Sequence, residues 1–317
     1  MGTDSKLHVS RREVLRVGLT AGAALAITHR LPAATGAPAP LPLITKAIPG
    51  TDEKLPVVGL GTDQFRNSAR DAIQAEIQRL QQLGGTVIDT AAAYGDSEEL
   101  IGSALAALGI RNRMFIATKL TASGAGYFGN GPGGKQSFDR SLERLKTQRV
   151  DLLQVHNLDG VDTLMPLLQE WKQAGKIRYT GITTSRVAQH GQMVEFMRRY
   201  PLNFVQVDYS LANRDAASNV LPLALERRMG VLANIPFGFG SVLRKAQTRE
   251  LPDWAADIDV TSWSQFLLKY VISHPAVTCV IPGSTRVEHL EDNQRAARGR
   301  LPDEAMRRKM EQFWDAG

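Results

Sequence analysis

A chain of 317 residues, 43% hydrophobic and 22% charged, has the composition of an ordinary soluble globule and the length of one large α/β barrel with an extension. Its formal charge of +6 is half explained by residues 1–30, where Lys6, Arg11, Arg12, Arg16 and Arg30 face only Asp4 and Glu13. The rest shows no basic stripe with stacking aromatics, which argues against nucleic acid as a partner. A single cysteine, Cys279 in a strand-like run, excludes an intrachain disulfide, and the six scattered histidines offer no metal-ligand spacing.

Residues 1–40 differ in composition from the remainder of the chain. Ser10-Arg11-Arg12-Glu13-Val14-Leu15-Arg16 precedes an uncharged, Ala- and Gly-rich stretch, Val17 to Ile27. A basic segment before a short apolar one is a secretory pattern, and the paired arginines resemble the twin-arginine consensus, with Val14 where Phe is commoner. The apolar stretch is too short for a membrane span, so no stable span is expected in the mature form. Ala24-Leu25-Ala26 and the Pro/Ala stretch Pro32 to Pro40 are both open as processing zones. The resemblance implies export in the folded state by the twin-arginine translocase to the periplasm, or a cytoplasmic protein if the signal is not used. The folded domain is expected over 41–317.

Leu43-Ile44-Thr45 and Leu55-Pro56-Val57 flank a turn signal, Pro49-Gly50-Thr51-Asp52, which predicts a short hairpin. Eight apolar runs then read as buried parallel strands: Val57–Leu60, Val87–Asp89, Phe115–Thr118, Leu152–Val155, Tyr179–Ile182, Phe204–Val207, Val231–Ala233 and Val277–Ile281. Between them lie stretches with helical spacing, among them Ser68–Leu83, Ser137–Lys146 and Asp162–Gly175. Asp162 is expected as an N-cap and Gly175 as a helix stop. Alternation of this kind repeated eight times predicts a (β/α)8 TIM barrel preceded by the hairpin. A doubly wound sheet is the alternative, although no G-x-G-x-x-G opens an early helix. The glycine-rich stretch Ser123 to Gly134 is expected to be either a substrate loop or a plain connection.

Asp89, Tyr94, Lys119 and His156 each fall just past the end of an apolar run, where a barrel keeps its chemistry. A carboxylate, a phenol, an ammonium and an imidazole at one mouth suit acid catalysis at a carbonyl. Gly59-Leu60-Gly61-Thr62, Ile88-Asp89-Thr90-Ala91-x-x-Tyr94-Gly95, Glu98, Gly102, Thr118-Lys119, Val155-His156 and Ile281-Pro282-Gly283-Ser284 together resemble the aldo-keto reductases, in order and spacing from Leu41 to the C-terminus. The resemblance implies hydride transfer from a nicotinamide to an aldehyde or ketone. Tyr94 would be the general acid, Lys119 would stabilise its phenolate, Asp89 would hold Lys119, and His156 would polarise the carbonyl oxygen.

The same resemblance implies NADPH, with NADH the less favoured cofactor. Gly61, Thr62, Asp89, Thr183, Thr184, Gln206, Asn234, Ser284, Arg286, His289 and Asn293 would hold it, with Arg286 and Ser284 suited to a 2′-phosphate. Two positions depart from the family pattern. Thr184 stands where an Asn is usual, and Asn234 where an aromatic stacks on the nicotinamide, leaving Phe237 or Tyr209 as substitutes. Asp63, Phe65 and Asn157 are the expected substrate contacts, in a mouth expected to be open and polar. These departures keep a second reading in view, that of a nucleotide-binding accessory or redox-sensing protein with slow turnover.

Overall fold

The computed structural model describes residues 41–126, 129–130 and 133–317. The twin-arginine motif and its processing zones, within 1–40, lie outside the described residues. The hairpin is present: β1 (Thr45–Ala47) pairs antiparallel with β2 (Lys54–Pro56), with Thr45 opposite Pro56.

Eight parallel strands follow. They are β3 (Leu60–Gly61), β4 (Val87–Asp89), β5 (Phe115–Leu120), β8 (Val150–Val155), β9 (Ile177–Thr183), β10 (Phe204–Asp208), β11 (Gly230–Asn234) and β12 (Cys279–Val280). Between β5 and β8, β6 (Ala125–Gly126) and β7 (Gly129–Asn130) make a small antiparallel pair inside the glycine-rich stretch. Each barrel strand pairs with the next in chain order. The ring closes where Gly59 donates its N–H to the Val280 carbonyl at 2.8 Å and Gly61 to that of Pro282 at 2.9 Å. Closure excludes the doubly wound alternative. It also explains why the first and last strands are shorter than their apolar runs, since they meet through single bridges, Val58 with Val280 and Gly61 with Gly283. A Cβ on Gly61 would stand 2.9 Å from the Ile281 carbonyl oxygen, so this seam needs glycine.

The outer layer is α1 (Arg70–Gln82), α2 (Ser97–Leu108), α3 (Gly134–Arg144), α4 (Val161–Gln173), α5 (His190–Arg199), α6 (Val220–Glu226), α8 (Trp263–Ser273) and α9 (Val287–Arg295). Two further helices, α7 (Ser241–Ala246) after β11 and α10 (Glu304–Asp315) at the C-terminus, add to the eight-fold repeat. Asp162 is not the N-cap of α4. The cap is Gly160, at φ 76°, where a Cβ would collide with that of Ala122 at 2.1 Å. Asp162, one residue inside the helix, instead accepts from Arg199 at 2.6 Å and from the Tyr200 hydroxyl at 2.5 Å. Gly175 does end α4, its N–H bonded back to Lys172 and that of Lys176 to Trp171.

Two separate cores result. One fills the space between barrel and helices, and a smaller one fills the barrel itself with Val87, Phe115, Leu152, Phe204, Leu232 and Cys279. Ile48 and Leu55 from the hairpin join this inner cluster, so the hairpin plugs the N-terminal end of the barrel. Cys279 is a buried apolar filler whose thiol burial pushes up, away from the reactive thiolate.

The barrel-facing side of α1 carries one residue that opposes packing. Glu76 is fully buried among Ile73, Ile77 and Leu80, and neither carboxyl oxygen has a hydrogen-bond partner among the described residues. Burial pushes its pKa from 4.5 up to about 7; Ser284 lies near enough to oppose this, without a hydrogen bond of normal geometry. The native state therefore holds this proton more tightly than the unfolded chain. Stability falls as pH rises from 4.5 to about 7 and is flat above. Glu76→Gln is expected to stabilise the protein at pH 8 by about 3 kcal/mol, with the gain fading toward pH 4.5. Urea unfolding of both proteins at pH 4.5 and pH 8 checks it. A gain that does not change with pH would show that Glu76 finds a partner.

Candidate active site

Strand periodicity sets which groups reach the barrel mouth. Successive residues of β5 alternate in facing, so Lys119 points inward while Thr118 points out to α2 and donates to Glu98 Oε1 at 2.7 Å. Lys119 Nζ donates to Asp89 Oδ1 at 2.5 Å and to the Thr90 carbonyl at 2.8 Å. Gln206, inward on β10, donates Nε2 to Asp89 Oδ2 at 2.8 Å, and the Thr62 hydroxyl donates to the Asp89 carbonyl at 2.9 Å. Tyr94 sits on the turn after β4, where its N–H bonds the Ala91 carbonyl at 3.0 Å and the neighbouring Ala92 N–H bonds that of Lys119 at 3.0 Å. This places Lys119 Nζ 5.0 Å from the centroid of the Tyr94 ring, and His156 edge-on to the same ring at 5.7 Å. The four expected catalytic side chains are brought together.

Glu98 and Gly102, part of the same sequence signature, do not reach the mouth. Glu98 is buried behind the barrel, with Thr118 and, at 3.6 Å, Arg144. Gly102 lets α2 approach the end of α3, since a Cβ would stand 2.2 Å from the Arg144 carbonyl oxygen. These residues seat α2, and through it the turn that carries Tyr94.

Electrostatics separate the four. Burial pushes the Asp89 carboxyl up, against the pull of Lys119 and the Gln206 hydrogen bond. Burial, then the Lys119 charge, lowers the His156 pKa from 6.5 to about 3. His156 is therefore a neutral imidazole across the physiological range. It can donate one hydrogen bond without carrying charge.

The mouth is a cavity of about 550 Å³. Of the expected contacts, Gly61, Thr62, Asp63, Asp89, Tyr94, His156, Asn157, Thr183, Gln206, Asn234, Ser284 and His289 line it, with Lys119 just beneath. Thr183 donates to Gln206 Oε1 at 3.1 Å, and Asn234 Nδ2 donates to the Thr184 carbonyl at 3.2 Å. Four expected contacts do not line it. Phe65 is fully buried in the core between barrel and helices. The Thr184 hydroxyl turns away to Gln189 at 2.5 Å, because the chain caps its next turn with that oxygen, which accepts from the Arg186 N–H. Asn293 is buried on α9, and Arg286 is exposed beside Glu288 at 3.5 Å.

The expected polar mouth is corrected on one side. The segment after β11 supplies an apolar wall of Ile235, Pro236, Phe237, Phe239 and Leu243, and Phe239 is 70% exposed. Ile235 and Phe239 both take positive φ, 49° and 52°, a strained conformation that clusters at ligand sites, above all for a β-branched residue. The signal in sequence was Phe237-Gly238-Phe239-Gly240, a run of bulky residues on a glycine turn. Phe237 lines the mouth as one of the suggested substitutes, whereas Tyr209 is buried elsewhere, its hydroxyl accepting from Arg307 at 2.8 Å. Gln64, Ser185 and Thr285 also line the mouth.

A closed barrel with a buried Lys–Asp pair under a tyrosine at its C-terminal mouth defines an α/β-barrel enzyme whose chemistry sits on the strand ends. Residues 57–313 match the model of the Aldo/keto reductase family, and the chain belongs to that family of oxidoreductases. It is 27% identical over 287 residues to the uncharacterised oxidoreductase YqkF of Bacillus subtilis, covering 79% of this chain and 90% of that protein. It is 28% identical over 250 residues to the methylglyoxal reductase YeaE of Escherichia coli, covering 76% and 85%. Among solved structures, an aldo-keto reductase from Klebsiella pneumoniae in complex with NADPH superposes with a TM-score of 0.72 at 26% identity, covering 86% of this chain and 96% of that one. Among the described residues no helix is long and apolar enough to cross a membrane, and no group of His, Cys, Asp and Glu could hold a metal ion.

Proposed function

We propose that this protein reduces an aldehyde or ketone to an alcohol with NADPH, Tyr94 acting as the general acid. The observation that carries the reading is the buried Lys119–Asp89 pair held beneath the Tyr94 ring with neutral His156 beside it. When bound, the nicotinamide supplies a hydride to the carbonyl carbon. The Tyr94 hydroxyl gives its proton to the carbonyl oxygen, and the Lys119 ammonium stabilises the phenolate that remains. Asp89 keeps Lys119 in place, and His156 donates to the same oxygen and orients it. Ile235, Phe237 and Phe239 exclude water from one side.

The residues present fit the cofactor. Asn234 Oδ1 is a buried acceptor with no donor among the described residues, while its Nδ2 is tied to the Thr184 carbonyl. The lining runs on past it to Ser284, Thr285 and His289. Thr183, Gln206 and Asn234 would hold the nicotinamide end. Ser284, Arg286 and His289 would hold the 2′-phosphate end, where the exposed Arg286 guanidinium would exchange its surface pairing with Glu288 for the phosphate. The crystallised Klebsiella relative, bound to NADPH, supports this choice.

The test is NADPH titration by fluorescence followed by NADPH oxidation across a panel of aldehydes and ketones. No nucleotide binding would sink the reading. Binding without turnover on any carbonyl would favour the accessory or redox-sensing role. Arg286→Ala is expected to weaken NADPH by ten-fold or more, for a lost charge-assisted contact of about 1.5–3 kcal/mol, and to leave NADH nearly unchanged. Equal losses for both nucleotides would move the phosphate site elsewhere.

We further propose that Arg11-Arg12 directs the folded, cofactor-loaded protein through the twin-arginine translocase to the periplasm. A barrel that binds its nucleotide only when closed must load it where the nucleotide is made, and that favours a route carrying folded cargo. Replacing both arginines with lysine and fractionating cells is expected to leave the protein in the cytoplasm. Unchanged periplasmic amounts would exclude this address.

A further inference from the structure

The end of the barrel opposite the mouth holds a second cavity, about 570 Å³, which the proposed reaction does not use. It is bounded by the hairpin strand β2 and by the turns that enter β5 and β8. Five cations line it, Lys54, Arg111, Arg113, Arg149 and Arg178, against two acids, Glu53 and Asp151.

Both acids are already engaged. Asp151 accepts from Arg178 at 2.9 Å, from Arg111 at 3.2 Å and from the Ile116 N–H at 2.9 Å. Glu53 accepts from Arg178 and, at 2.7 Å, from the Tyr179 hydroxyl. Arg111 and Arg178 thus balance the two carboxylates. Lys54, Arg113 and Arg149 are left with no ion-pair partner among the described residues. Arg111 is also fixed in place. It donates to the Met114 carbonyl at 3.0 Å and to that of Arg149 at 2.6 Å, while its buried Nε–H has no acceptor among the described residues.

Three unbalanced positive charges around one concavity repel each other and focus a positive potential into it. Arginine forks favour phosphate oxygens, which they can engage with two bonds at once. The cavity volume falls within the range of small-molecule sites. Leu55, Met114 and Phe115 also border it but are almost wholly buried. Phe115 stacks on Tyr179 at 6.0 Å within the barrel, so no free ring is offered to a nucleic-acid strand. We propose that this cavity binds a small polyanion carrying two or more phosphate groups. The site lies at the opposite end of the barrel from Tyr94, and the proposal does not depend on the reaction proposed above.

Calorimetric titration of the full-length protein with pyrophosphate and with ADP as probes tests it, and the substitutions below separate binding in this cavity from binding at the mouth. One site per chain is expected, with affinity falling as salt rises. Arg113→Gln/Arg149→Gln should weaken it about ten-fold or more, as expected for lost charged contacts. Both arginines are exposed, so the double variant should keep its fold and its carbonyl turnover. ADP binding ten-fold tighter than pyrophosphate would mean that the cavity also takes the nucleoside; equal binding would mean phosphate alone. No binding of either probe at millimolar concentration, or binding indifferent to the double substitution, would overturn the proposal. If the double variant fails to fold, Arg113→Gln and Arg149→Gln are made singly and read by thermal shift with pyrophosphate. Each should then lose part of the shift, and an undiminished shift in both would overturn the proposal equally.

Discussion

Tyr94→Phe is expected to lower carbonyl reduction by about two or more orders of magnitude, the range that general acid catalysis contributes, while NADPH binding stays within a few-fold of wild type. The substitution removes one hydroxyl and keeps the ring. The edge-on contact with His156 and the packing of Lys119 against the ring face are therefore retained. No other group in the cluster replaces the lost proton donor. Lys119 is committed to Asp89 and the Thr90 carbonyl, and His156 stays neutral above about pH 3. A neutral imidazole gives up its proton far less readily than an imidazolium, so His156 orients the carbonyl rather than protonating it. It follows that His156 puts no acid limb into the pH–rate profile between pH 5 and 8. Single-turnover rates with saturating NADPH are the measurement. Near-wild-type turnover in Tyr94→Phe would remove Tyr94 from the mechanism.

The catalytic cluster was legible in sequence because its members sit at strand ends, where periodicity fixes both position and facing. Thr118-Lys119 shows the logic and its limit. The strand run announces that one residue faces in and the other out, and only the structure shows Thr118 holding Glu98 behind the barrel. The barrel itself followed from eight apolar runs, but alternation alone does not announce α7 and α10, which stand outside the eight-fold repeat. Phe65 lies in the core and not at the mouth, and nothing local distinguishes a loop aromatic that turns into the core from one that turns to a ligand. Thr184 does not line the mouth for a similar reason: its hydroxyl is claimed by Gln189 and the Arg186 N–H, a competition invisible in a strand pattern. The apolar wall from Ile235 to Leu243 depends on positive-φ residues that sequence cannot assign outside glycine.

The strongest single loss should come from Lys119→Met, which touches both stability and chemistry. Lys119 and Asp89 are 1% and 4% exposed, so removing the ammonium leaves a carboxylate buried with Gln206 as its remaining side-chain donor. Breaking a buried pair from one side costs about 3–5 kcal/mol, and burial already pushes the Asp89 carboxyl up before Lys119 is lost. Urea unfolding should show that loss, and turnover should vanish with it. The double variant Asp89→Leu/Lys119→Met removes both charges from the barrel. It should recover most of the lost stability, since two apolar side chains need no solvation there. It should not recover turnover, because nothing then stabilises the Tyr94 phenolate. The two readouts separate a structural bridge from a catalytic pair. A double variant that regained both stability and turnover would reduce Lys119–Asp89 to packing. One that stayed as unstable as the single variant would show that Asp89 serves the fold through Gln206 and not through Lys119.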